Sequence, residues 1–194
     1  VFFSCVLIFS QLFRGEVLEK TIHFYLLSPV RREILILGKY FAGVTASGFI
    51  FGLSALLTHV LVYMPSRDWT SFYFEGEGFA HLARYLIATV LACAAYGSVF
   101  LLIGTLFKNP IAPAIFIGGW EAFYFMLPNT VQKFTIMHYL QSMLPGVPIN
   151  MGPFGVVADR TPTLLAIPTL LIVSAVFVFA AGQVTRFAQV TYSS

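Results

Sequence analysis

The chain has 194 residues, of which 58% are hydrophobic, 16% aromatic and 10% charged, and its mean hydropathy is +0.85. Soluble domains carry about a quarter charged residues, so this composition excludes a disordered chain and a water-soluble globule and points to an integral membrane protein. The net charge of +3 comes from eleven Lys and Arg against eight Asp and Glu; an excess this small indicates no nucleic-acid partner, and its placement along the chain matters more than its size.

A helix needs about 20 mainly apolar residues to cross a hydrocarbon core near 30 Å thick. Residues 1–13 (VFFSCVLIFSQLF) are apolar but too few, and they lack the basic start and small-residue cleavage site of a signal peptide. They read as the end of a span that begins upstream, so the chain is expected to be the C-terminal part of a longer polypeptide. Four complete spans follow, at 41–63, 85–107, 110–129 and 163–185, with Glu121 the only acid within them and Pro168 in the first turns of the last. Cys5 and Cys93 sit inside apolar runs and read as small buried hydrophobes rather than as a disulfide or metal site.

Five crossings in alternation place 14–40, 108–109 and 186–194 on one side, with Arg14, Lys20, Arg31, Arg32, Lys39, Lys108 and Arg186. The other side, 64–84 and 130–162, holds Arg67, Arg84, Lys133 and Arg160. The positive-inside rule then assigns 14–40 and the C-terminus to the cytoplasm, and the chain to the cytoplasmic (inner) membrane. Trp69, Phe72, Tyr73, Phe74 and Phe79 on the opposite side have the composition of an interfacial aromatic belt.

Within 14–40, Leu18, Ile22, Tyr25 and Leu26 recur at helical spacing while Glu16, Glu19, Lys20 and His23 fall on other faces. This predicts an amphipathic helix of about three turns at the inner membrane surface. Ser28-Pro29 ends it, and the same pair suits the cap and first position of a second helix that runs into the span at 41–63. Eight of the nineteen charged residues lie between Arg14 and Lys39, a density that anchoring a span does not require. The segment 130–162 reads as one short amphipathic helix over Val131, Phe134, Tyr139, Leu140 and Met143, followed by a Pro- and Gly-rich loop.

The 14–40 segment carries an ordered pattern: Glu16, Glu19, Thr21, Leu26-Leu27, Ser28-Pro29-Val30, Arg31-Arg32, Glu33-Ile34-Leu35 and Gly38-Lys39. In this the chain resembles the permease subunits of type-2 ABC transporters, the export-type membrane domains. The resemblance implies an all-α, polytopic transmembrane helical bundle with a cytoplasmic amphipathic coupling helix, the whole chain forming a single permease domain. It implies docking on an ATP-binding cassette subunit, for which charge complementarity nominates Glu16, Glu19, Arg31, Arg32 and Glu33. It also implies pairing with a second permease half. His23-Phe24-Tyr25 stands where the family more usually has Leu-Glu-x.

The chain offers no nucleotide site of its own. A P-loop reads G-x-x-x-x-G-K-[ST], but Gly38-Lys39 is followed by Tyr40 and Glu33 replaces the first glycine. ATP with magnesium is therefore expected on a partner subunit, and no cofactor on this chain. An intramembrane serine protease centred on Ala46-Ser47-Gly48 would place its nearest histidine of the same span, His59, about 18 Å away, too far for a base. His23, His59, His81 and His138 show no metal-ligand spacing.

Two features inside the spans remain. Gly48 and Gly52 form a G-x-x-x-G that lets helices approach closely, either within the subunit or between two. Glu121 either lines a translocation pathway or makes a helix-packing hydrogen bond, since a charge at mid-membrane costs at least about 2.5–3.5 kcal/mol. The reading that follows is a permease subunit, not itself an enzyme, that exports a substrate across the membrane. The alternative is an anchor or assembly subunit that recruits a cytoplasmic partner without moving solute.

Overall fold

The computed structural model describes residues 1–18, 32–64, 72–73, 76–107, 109–144 and 161–187, and these are helical with no strand among them. The elements are α1 (Phe2–Leu18), α2 (Arg32–Tyr63), α3 (Gly78–Leu106), α4 (Ile111–Ala122), a 3-10 turn (Tyr124–Met126), α5 (Asn129–Gln132), α6 (Ile136–Met143) and α7 (Thr163–Phe187). Three of them, α2, α3 and α7, are long and apolar enough to cross a membrane.

The centre of the bundle is α3, which packs on α1, α2 and α7. Over its most apolar stretch it is 72% buried, against 28% for α7 and 11% for α2. The sequence accounts for this difference. Residues 91–100 of α3 (LACAAYGSVF) are small or compact enough to admit neighbours on every side, and all ten are buried. In α2, Phe41, Phe49, Leu53, Leu57 and Leu61 recur at helical spacing and are exposed, forming an apolar face suited to lipid.

Hydroxyls within the bundle are satisfied locally, as a solvent without hydrogen-bonding groups requires. Ser47 donates to the Gly43 carbonyl, Ser98 to Ala95 and Ser174 to Leu170, each one turn back in its own helix. Tyr40 instead reaches across, donating to the Ala94 carbonyl at 3.1 Å and fixing α2 against α3.

Besides α1, which continues to Leu18 past the apolar run at 1–13, three boundaries differ from hydropathy. Residues 32–40 and the span expected at 41–63 form one unbroken helix. The start of α3 lies at Gly78, seven residues before Tyr85, because nothing between them breaks a helix and Arg84 points outward. The third difference is the largest: the apolar run at 110–129 is not one continuous helix. Its helix stops at Ala122, the chain makes a 3-10 turn, and Pro128, which has no N–H to donate, separates that turn from α5.

Candidate functional site

At one end of the bundle, Lys39 Nζ donates to the Leu12 carbonyl at 3.0 Å, and a carboxylate oxygen of Glu33 lies 3.8 Å from the Arg186 guanidinium. The last turns of α1, the first of α2 and the last of α7 therefore lie together. Segment 19–31 joins two helices that end at the same end of the bundle, and it contains two of the five residues nominated for docking, Glu19 and Arg31. Glu19 and Arg31 lie outside the described residues. Glu16 and Arg32 lie in the helical backbone of α1 and α2. Glu33, half-exposed, is held beside Arg186, a pairing that links residues 153 positions apart and that spacing alone could not reveal.

Glu121 occupies the break in the apolar run at 110–129. Its Oε1 accepts from the Ile136 backbone N–H at 2.9 Å and its Oε2 from Met137 at 3.0 Å. The Tyr96 hydroxyl donates to the same Oε2 at 3.1 Å. The first backbone donors of a helix have no partner within it, so the carboxylate caps α6 from a different helix, and its negative charge suits the positive end of the helix dipole. Three donors converge on one side chain and hold α3, α4 and α6 together.

Beyond the break, Gln132 Nε2 donates to the Leu127 carbonyl at 2.8 Å, and the Tyr124 hydroxyl bonds the Gln141 side-chain oxygen. His138 and Thr161 side chains pair at 3.0 Å, and the Thr161 N–H donates to Ser142 Oγ. These bonds close the two ends of the Pro- and Gly-rich loop, whose residues 145–160 lie outside the described residues.

The tightest side-chain contacts at any glycine fall at positions other than the G-x-x-x-G pair. A methyl group at Gly48 would make ordinary contact with Val90 at 3.9 Å, and one at Gly52 would meet no described atom. At Gly43 and Gly97 it would lie 2.6 and 2.5 Å from the ring of Phe9. Phe9 is fully buried, its ring seated in the notches that α2 and α3 leave at these two positions. Neither glycine has a glycine four residues away in its helix, so the notch exists only once three helices assemble. Cys5 and Cys93 are both free and fully buried, on α1 and α3.

Among the described residues no group of three or more His, Cys, Asp and Glu is placed to hold a metal ion. Comparison with protein-family models, curated proteins and solved structures finds no match to this chain.

Proposed function

We propose that the chain is the membrane-spanning permease subunit of an ATP-binding cassette exporter, driven by a separate ATPase and paired with a second permease half. The observation that carries this reading is the ordered pattern in 14–40, from Glu16 and Glu19 through Ser28-Pro29-Val30 to Gly38-Lys39, lying between two helices that enter the bundle side by side. A push delivered to that connection acts on α1 and α2 at once. The ring of Phe9 passes motion of α1 to α2 and α3, and the ion pair of Glu33 with Arg186 passes motion of α2 to α7. Apolar helices in contact move as rigid units rather than deforming, so closure of an ATPase pair would rock the spans and open a path between the permease halves. The break at Glu121 is the point in the bundle where one crossing is not a continuous rod.

The competing reading, an anchor that recruits a cytoplasmic protein, rests on the same segment. Hydrolysis of ATP by the reconstituted complex separates them. A permease raises the rate when its substrate is added to the vesicles, and an anchor leaves it unchanged.

A further inference from the structure

Residues 107–110 join the end of α3 to the start of α4, so the two helices meet at one end of the bundle. Tyr96 lies ten residues from Leu106, and Glu121 ten residues from Ile111; at 1.5 Å per residue each is about 15 Å from that end. Apart from Lys108, residues 97–120 carry no charge, and a hydrocarbon core is about 30 Å thick. The bond between Tyr96 and Glu121 therefore lies inside the hydrocarbon layer of a bilayer that α3 crosses. The backbone leaves α4 at this depth and returns to it, because the Ile136 N–H donates to Glu121. Between the two points it forms only a 3-10 turn and the four-residue α5.

Lipid offers such backbone no hydrogen-bond partners, so at this depth it is covered by protein or faces water. Phe123, Met126 and Phe134 beside the break are 60%, 56% and 84% exposed on this chain, and bare apolar side chains favour protein over water as the cover. The exposed face of α2 is as apolar but makes no such demand. It belongs to one unbroken helix whose backbone is satisfied within itself, and it can face lipid.

The glycines select the occupant. Gly43 and Gly97 seat the ring of Phe9, and Gly118 of α4 seats Phe2, whose ring a methyl group there would approach to 3.0 Å. At the next residue, Gly119, an added carbon would meet no described atom. Phe116, 76% exposed, and Phe123 lie one turn to either side of it. An open notch and two free phenylalanines thus share one helix face. A face that carries both is complementary to itself, as a twofold contact requires, and glycine lets helices in a membrane approach closely.

We propose that a second copy of this chain covers the break, with α4 crossing α4 at Gly119 about a twofold axis along the bilayer normal, and Phe116 and Phe123 of each copy closing on the glycine of the other. This rests on the pairing of two permease halves proposed above, which it makes a pairing of identical chains, and it needs no ATPase.

Disulfide crosslinking of the full chain in its native membrane, with copper phenanthroline as oxidant, tests it. In Gly119→Cys the two thiols that meet at the axis should give up two protons, and two electrons to Cu(II), forming a species of twice the chain's mass. The wild type, whose own cysteines are buried, and Phe49→Cys on the exposed face of α2 should form none. Sedimentation in detergent should show the dimer weakened about tenfold or more in Gly119→Leu, with the unfolding temperature of the monomer unchanged, and unaffected in Gly52→Leu. Absence of the crosslink, a crosslink to a different polypeptide, equal crosslinking through Phe49→Cys, or a dimer lost in Gly52→Leu rather than Gly119→Leu overturns the proposal. A crosslinked dimer that brings no ATP hydrolysis with it would contradict the permease reading and still support this contact.

Discussion

Tyr96 and Glu121 are 25 residues apart in sequence, and the hydroxyl of one lies 3.1 Å from the carboxylate of the other. The bond ties the middle of the most buried helix to the point where the apolar run at 110–129 breaks, and the same carboxylate caps α6. A residue that the sequence leaves open between pathway and packing is thus engaged by three donors from the protein itself.

Glu121→Gln is accordingly expected to destabilise. The amide retains one oxygen but turns its NH2 toward one of two backbone donors, and a buried group left unsatisfied costs about 1–3 kcal/mol. Tyr96→Phe removes one donor and keeps the cap, so its cost should be the smaller, about 0.5–1.5 kcal/mol. Thermal unfolding in detergent orders the variants. A Glu121→Gln protein with wild-type stability and defective transport would return the residue to a pathway role.

Gly97→Ala and Gly43→Ala place a methyl group against the ring of Phe9, and overpacking of this kind costs about 1–3 kcal/mol. Gly52→Ala should be neutral for the isolated chain, because the added carbon meets no described atom. The contrast is measured by unfolding of each single variant. A loss of dimer in Gly52→Ala without a loss of monomer stability would assign the G-x-x-x-G to a subunit interface.

The pair of Glu33 and Arg186 is half-exposed on both sides, and exposed ion pairs contribute about 0–1 kcal/mol. Glu33→Lys should therefore leave the unfolding temperature nearly unchanged. If the 14–40 segment docks an ATPase, the same variant should lower the stimulation of ATP hydrolysis. Restoration by adding Arg186→Glu would show that the ion pair, rather than contact with the ATPase, is what matters.

Cys5 and Cys93, both fully buried, should resist N-ethylmaleimide in the folded protein, and both should react once the chain is unfolded in SDS. Counting adducts by mass spectrometry checks this directly. Rapid labelling of Cys5 in the folded state would show that α1 does not pack where it is placed.

The long apolar helices were legible in the sequence to the extent that burial in lipid and burial in protein leave the same apolar signature. Hydropathy finds α2, α3 and α7 because each is a continuous apolar helix, but it does not say that α3 is central, which depends on Ala92, Cys93, Ala94, Ala95, Gly97 and Ser98 admitting neighbours. The run at 110–129 reads as one span since its side chains are apolar throughout. It is broken by Pro128 together with a cap that Glu121 supplies to a helix fifteen residues away, a tertiary contact without periodicity. The notches at Gly43 and Gly97 belong to two helices and a third helix's phenylalanine, so they emerge only from packing.

The proposed coupling to an external ATPase is tested most directly by vanadate-sensitive ATP hydrolysis in proteoliposomes. The complex is affinity-purified through this chain, wild type against Arg31→Glu with Arg32→Glu, at equal amounts of folded protein. A coupling role predicts hydrolysis with the wild type and its loss in the double variant. Equal hydrolysis from both would contradict the assignment of 14–40 as the docking element, and the absence of hydrolysis from the wild-type complex would contradict an ATP-driven permease altogether.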